Sequence, residues 1–299
     1  MLELKNVSKS FGKFKALDDL TMTIPQGSVY GLVGPNGAGK TTAIRHITGV
    51  YRPDEGEITM EGLPIYENPQ VKQAIGYIPD EIFYFSSATL KDMAKFYRGL
   101  YPRFDMPLFQ RLSEVFQLPM GSPIRRFSKG MQKQAAFQLT LSIRPDVLVL
   151  DEPVDGLDPV MRRQVMSLIL AEVAERNTTV LISSHNLREL EDVCDHVGIM
   201  DKGAVLLERT LSDLQDNTVK LQVAYKTAEE PALPAELQIL HHSAVGRVHT
   251  YIMRGSSEEI CRRMQITDPV LLEAIPLTLE EIFIYELGGA DDAAHKILL

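Results

Sequence analysis

The sequence predicts a doubly wound α/β domain followed by a small α/β module. Three observations carry that expectation. The apolar run Ser28–Val33 meets a glycine-rich turn and then a helical pattern, Thr41–Thr48. Two further apolar runs, Val147–Leu150 and Val180–Ser184, read as buried strands with a helix between them from about Pro159 to Arg176. The texture then changes after about Asn217. Strand, glycine turn and helix in that order form the opening unit of an open parallel sheet with helices on its faces.

The remaining elements follow from periodicity. Leu2, Leu4 and Val7, and then Leu20, Met22 and Ile24 alternating with Thr21 and Thr23, give the two-residue period of half-buried strands. Gly56–Met60 and Ala74–Ile78 are further strands, separated by proline and glycine. Between about residues 87 and 142 the apolar spacing becomes three and four, as in Leu90, Met93, Ala94 and Tyr97, and in Leu108, Leu112, Val115 and Phe116. That spacing predicts a helical insertion. Val197–Met200 and Val205–Leu207 flank the turn Asp201-Lys202-Gly203, which predicts a hairpin. In the tail, Val219, Leu221 and Val223 alternate, Pro231 and Pro234 interrupt, and Thr250–Met253 is a further strand. Ser256–Met264 and Thr278–Leu287 are predicted helices, the second capped by Thr278 with acids in its first turn.

Composition bounds the function. The 299 residues are 44% hydrophobic and 24% charged, a globular balance, and the net charge of −9 argues against a bulk nucleic-acid coat. Two cysteines, Cys194 and Cys261, make no disulfide framework and fit a reducing compartment. No apolar run reaches the roughly 18 residues of a membrane span, and Met1–Lys5 lacks the basic start and apolar stretch of a signal peptide. A cytosolic soluble protein is expected.

Four motifs carry chemistry. Gly34, Pro35, Asn36, Gly37, Ala38, Gly39, Lys40 and Thr41 satisfy G-x-x-x-x-G-K-[ST], with Thr42 next in the helix. Glycines let the backbone curl so that several N–H groups point at a phosphate, and the following helix adds its positive end. Lys40 would then reach the β- and γ-phosphates and the Thr41 hydroxyl would ligate Mg²⁺. The apolar strand ending in Asp151-Glu152 puts two acids at the carboxyl edge of the sheet. Asp151 is there the partner for Mg²⁺, and Glu152 the general base that polarises an attacking water. Phe127-Ser128-Lys129-Gly130-Met131-Gln132 is a loop opening a helix that contains Met131, Ala135 and Leu139, with Ser128 as N-cap. His185 follows the strand Val180–Ser184; a lone histidine is more often structural, but at a strand's carboxyl end it can donate to a γ-phosphate oxygen.

The ordered set Gly34–Thr41, Ser128–Gln132, Val147–Glu152, Gly156-Leu157-Asp158 and His185 resembles the nucleotide-binding subunit of ATP-binding cassette (ABC) transporters, over about residues 1–215. The resemblance implies a P-loop NTPase with a RecA-like core, an antiparallel β subdomain and a helical insertion at about 87–142, followed by an accessory domain at 216–299. It implies an ATPase whose cassettes pair head to tail, as a homodimer or a heterodimer, around two Mg²⁺-ATP. Each ATP would lie on one P-loop and be covered by Ser128, Lys129 and Gly130 of the other cassette. Phe11 is similar to the family's aromatic that stacks on adenine, Asp158 lies in the loop that couples the two sites, and His185 is the switch histidine. Integral membrane permease subunits would hold the chain at the cytoplasmic face of the cell membrane, and no direct nucleic-acid contact is expected. The tail pattern Leu279-Glu280-Glu281-Ile282-Phe283 resembles the extension of ABC-2-type exporter cassettes, which points to export.

The chain departs from the family pattern at two places. Phe127-Ser128-Lys129-Gly130-Met131 stands where Leu-Ser-Gly-Gly-Gln is usual; Ser128 and Gly130 keep the anion-binding helix end, and Lys129 adds positive charge. Asp80 occupies the position of a glutamine that contacts Mg²⁺ and the attacking water, so a carboxylate there binds metal but adds negative charge beside ATP. The apolar stretch Glu81–Phe85 next to it reads either as packing of the helical insertion or as part of a groove for a membrane subunit. Two other functions compete with transport: a soluble ABC ATPase acting on ribosomes or DNA, and an ATP-sensing regulatory cassette. A single P-loop, a short insertion and acidic charge weigh against the first, and Glu152 with His185 against the second.

Overall fold

A computed structural model describes residues 1–216, 218–227, 231–234 and 236–281. The chain divides into two units, Met1–Glu208 and Arg209–Leu299, ahead of the expected division near residue 215.

The first unit runs β1 (Leu2–Phe11), β2 (Phe14–Ile24), β3 (Val29–Val33), α1 (Lys40–Ile47), β4 (Glu55–Met60), β5 (Leu63–Pro64), α2 (Pro69–Lys72), β6 (Ile75–Ile78), α3 (Leu90–Leu100), α4 (Met106–Phe116), α5 (Lys129–Ser142), β7 (Val147–Asp151), α6 (Pro159–Arg176), β8 (Thr179–Ser184), β9 (His196–Asp201) and most of β10 (Ala204–Thr210). Strands β2-β1-β4-β5 form an antiparallel sheet in which Leu2 faces Ile24 and Leu4 faces Met22 across β1 and β2. Alternation decides which side is buried. Leu2, Leu4, Leu20, Met22 and Ile24 are fully buried, while Thr21 and Thr23 face out.

The second sheet has the order β10-β9-β3-β8-β7-β6, with β3, β6, β7, β8 and β9 paired in parallel. A parallel sheet with helices on its faces buries both sides of its inner strands, which is why β3, β7 and β8 read as continuous apolar runs. The Asp201-Lys202-Gly203 turn joins the neighbouring strands β9 and β10, as predicted.

The insertion is helical because each helix start is capped. Thr89 and Asp92 form a reciprocal capping box on α3 (Asp92 N–H to Thr89 Oγ1, 3.2 Å; Thr89 N–H to Asp92 Oδ2, 3.0 Å). Asp105 accepts from the Leu108 N–H at 2.8 Å on α4, and Ser128 accepts from the Met131 N–H at 3.2 Å on α5. Arg144 then ties the insertion to the parallel sheet's helices. Its Nε donates to Asp105 Oδ2 (3.0 Å) and its Nη1 to Glu172 Oε1 on α6 (3.1 Å), and Arg176 donates to the other oxygen of Glu172 (3.0 Å).

The second unit contains α7 (Leu211–Asp216), β11 (Thr218–Ala224), β12 (Gln238–Val245), β13 (Val248–Arg254), α8 (Ser257–Met264) and β14 (Leu271–Ile275), with the antiparallel order β12-β13-β11-β14. Val219, Leu221, Val223, Tyr251, Met253 and Ile260 make its core. Thr278 and Glu281 bond reciprocally, the Thr278 N–H to Glu281 Oε2 (3.0 Å) and the Glu281 N–H to Thr278 Oγ1 (3.2 Å), the expected cap. The rest of the predicted helix to Leu287, with Ile282 and Phe283, lies outside the described residues. Among the described residues no helix is long and apolar enough to cross a membrane.

The Arg144 bridge gives a stability prediction. Arg144→Ala leaves the half-buried Asp105 and the buried Glu172 without their shared cation. It should cost about 2 kcal/mol, between the values for exposed and buried pairs. Chemical denaturation reads this directly, and an unchanged midpoint would remove the bridge as the tie.

Candidate functional site

Parallel pairing brings the site together. Val33 lies beside Ser184 and Asp151 beside Ser183, so the chain leaving β3, β7 and β8 emerges at one edge of the sheet. That edge collects the Gly34–Thr41 loop, the Asp151-Glu152 pair and His185.

The loop is shaped by glycines. Gly37 (φ 86°) and Gly39 (φ 106°) are left-handed, and a Cβ on Gly34 would stand 2.1 Å from the Met200 carbonyl oxygen. Gly39 is also the N-cap of α1 and offers no side chain to its first amides, which leaves that helix end for an anion. The loop from Pro35 to Thr42 lines a cavity of roughly 270 Å³ together with Phe14, Ala16, Asp80 and Glu152.

Lys40 is 6% exposed. Its ammonium donates to the carbonyls of Gly34 and Pro35 and lies 3.8 Å from Glu152 Oε1. Burial pushes the Lys40 ammonium below the usual lysine range, and the carboxylates of Glu152 and Asp151 pull it back up. Glu152 is left-handed (φ 47°), and its N–H is shared between Ser183 O (3.3 Å) and Ser183 Oγ (3.1 Å). The other carboxylate oxygen accepts from His185 Nδ1 at 2.9 Å. Burial raises the Glu152 carboxyl above the ordinary range, against the pull of His185 and Lys40. Asp151, 1% exposed, accepts from Ser183 Oγ at 2.6 Å. A carboxyl held proton-hungry beside an imidazole and an ammonium can take a proton from a water at the cavity wall.

Lys40, Thr41, Thr42, Asp80 and Glu152 therefore meet at one cavity, His185 is bonded to Glu152 there, and Asp151 precedes Glu152 in the chain. Ser128, Lys129, Gly130 and Asp158 do not line it. Ser128 and Lys129 are exposed at the start of α5, and Asp158 caps α6 by accepting from the Val160 and Met161 N–H groups (3.0 Å each). Phe11 also stays outside the lining and packs edge-on against Tyr51, at 5.5 Å between ring centres. Its register partner across the β1–β2 turn, Phe14, lines the cavity instead. Within Glu81–Phe85, Phe83 is 88% exposed, and Phe85 meets Phe96 of α3 edge to face at 5.6 Å. So the stretch neither packs wholly inside nor leaves the insertion.

Sequence reasoning passed over Phe14, Ser183 and Lys133. Lys133 of α5 donates to the Glu152 carbonyl at 2.6 Å and lies 3.8 Å from Asp80 Oδ1. Thr41, Asp80 and Asp151 offer only hard oxygens, and among the described residues no group of three His, Cys, Asp or Glu is placed to hold a metal. That donor set fits Mg²⁺, which takes one or two protein oxygens and completes its shell with waters and substrate phosphates.

Comparison with known proteins agrees with this geometry. Residues 17–155 match the model of the ABC transporter family. The chain is 34% identical over 289 residues to the ABC transporter ATP-binding protein YtrB of Bacillus subtilis, covering 97% of this chain and 99% of that one. It is 27% identical over 300 residues to the bacitracin transport ATP-binding protein BcrA of Bacillus licheniformis, covering 97% and 98%. Among solved structures, an ATP-binding subunit of an ABC transporter superposes with a TM-score of 0.67 at 28% identity, over 72% of this chain and 92% of that one. A dimeric bacterial ABC transporter cassette superposes at 0.64 and 22% identity, over 71% and 99%, and shares the fold. A phosphate-binding loop beside a buried acid pair, joined to a relative matched along nearly its whole length, leads to one conclusion: the chain belongs to the ATP-binding subunits of ABC transporters and is an ATPase.

Proposed function

We propose that this subunit drives export through separate membrane permease subunits by closing on a second cassette, in a homodimer or a heterodimer, over two Mg²⁺-ATP. The observation that carries the reading is Glu152, 3.8 Å from Lys40 and 2.9 Å from His185 at the wall of the loop cavity. In this reading the loop amides and Lys40 hold the β- and γ-phosphates, and Thr42 lies beside them at the cavity wall. Thr41 and Asp151, with Asp80 at the cavity lining, would hold Mg²⁺, which would supply positive charge to the phosphates. Glu152 takes the proton of the attacking water, and His185 steadies that carboxylate while facing the γ-phosphate.

The exposed start of α5 supports completion of the site by another molecule. Ser128, Lys129 and Gly130 turn a helix N-terminus and a positive charge outward, the surface an ATP held on a partner cassette would meet. Asp158 then lies in the loop beside that contact. Closure so arranged depends on ATP, and hydrolysis releases it. Adenine is assigned to the aromatic pair at the β1–β2 turn, Phe11 with Phe14. The exposed Phe83 and Phe85 suit contact with a permease. Export is favoured by relatives whose names speak of bacitracin transport, linearmycin resistance and multidrug transport. Permeases would keep the chain at the cytoplasmic face of the membrane, with the cassette at 1–215 and the accessory domain at 216–299.

Two substitutions test the site. Lys40→Ala removes the side-chain charge that reaches the loop carbonyls and should weaken ATP binding at least about a hundredfold, the scale of losing a buried charge contact. Equilibrium titration with a fluorescent ATP analogue checks this, and unaltered affinity would overturn the loop assignment. Glu152→Gln keeps the shape and loses the base. Steady-state turnover should fall by about 10² or more while ATP affinity holds. Wild-type turnover would remove Glu152 from that role.

A further inference from the structure

We infer that Lys133 is a positioning residue for Glu152, a strut that joins the helix beginning at Ser128 to the backbone carrying the carboxylate beside Lys40. The inference rests on the proposed role of Glu152 in hydrolysis. Lys133 points into the protein from the second turn of α5, with its side chain 8% exposed. Its Nζ donates to the Glu152 carbonyl oxygen at 2.6 Å and lies 3.8 Å from Asp80 Oδ1. One ammonium thus links three segments: α5, the turn after β7 and the loop after β6.

The geometry at Glu152 explains what such a strut does. A left-handed backbone at a non-glycine residue costs on the order of 1–2 kcal/mol and persists only where the surroundings hold it. Ser183 holds the N–H side of Glu152, and Lys133 holds the carbonyl side. Rotation of that peptide would swing the carboxylate away from Lys40 and His185. A buried ammonium is a costly way to fill space, and a methionine would fill it at less cost. Here Asp80, Asp155, Glu152 and Asp151 offset part of the penalty, and the bond to the Glu152 carbonyl is made at that site. Asp80, which adds a charge beside the nucleotide cavity, gains its counter-charge in the same contact. In the two-cassette reading, the helix end that meets the partner's ATP and the carboxylate that serves the chain's own ATP are joined through this one side chain.

The test uses the full-length chain with MgATP and the variants Lys133→Met, Lys133→Gln and Lys133→Arg, with Glu152→Gln measured alongside. Removing the strut should lower kcat about tenfold or more in Met and Gln, with ATP affinity and KM within about twofold, while Arg stays within about threefold of wild type. A folded Met or Gln variant with wild-type kcat overturns the inference. So does a loss of kcat matched by an equal loss of ATP affinity, the mark of a merely structural residue. If neither neutral variant folds, Arg decides: near-wild-type kcat supports the strut, and a tenfold loss in a folded Arg protein overturns it. Wild-type turnover in Glu152→Gln would instead fault the reading of Glu152 itself.

Discussion

Burial of the Lys40 ammonium beside Glu152 is the interaction on which the site depends. An ammonium moved out of water loses several kcal/mol of solvation, and a facing carboxylate at about 4 Å returns about 4 kcal/mol at an effective dielectric near 20. The pair is therefore near balance, helped by the carbonyls of Gly34 and Pro35. Neither charge is comfortable without the other or without a phosphate. A loop that needed no ligand would be built more cheaply from apolar side chains, so the arrangement stores affinity for an anion in the loop itself.

The parallel sheet supplies the convergence. Because β3, β7 and β8 run side by side in one direction, the residues after each strand arrive at the same edge. Ser183 then acts as a junction, donating to Asp151 while accepting from the Glu152 N–H, so the two neighbouring acids share one hydroxyl. His185 reaches Glu152 from two residues further along the same strand exit. Burial raises the Glu152 carboxyl, and His185 and Lys40 limit the rise, which suits the proton-accepting role proposed for it.

Much of this was legible in the sequence, for physical reasons. Inner strands of a parallel sheet are apolar on both faces, so β3, β7 and β8 announced themselves, and Ser128 and Asp105 sit at helix starts where their side chains cap amides. The edge strands β12 and β14 did not, because most of their residues face solvent and no alternation is required. Lys133 and Ser183 were invisible for another reason. Each acts on a residue distant in sequence, and neither has a local spacing that marks it. The resemblance points to Phe11 alone, whereas the turn between β1 and β2 pairs it with Phe14, which lines the cavity. Ser128, Lys129 and Gly130 do not line the chain's own cavity, and the resemblance assigns them to the ATP of another cassette.

In the proposed two-cassette arrangement, one chain holds part of each ATP site and a second cassette supplies the rest. Light scattering of the full-length Glu152→Gln protein, with and without MgATP, decides whether it forms. A shift from monomer to dimer on adding MgATP, absent with MgADP, is the result expected of a site closed across two chains. A mass that stays monomeric with MgATP bound would contradict it.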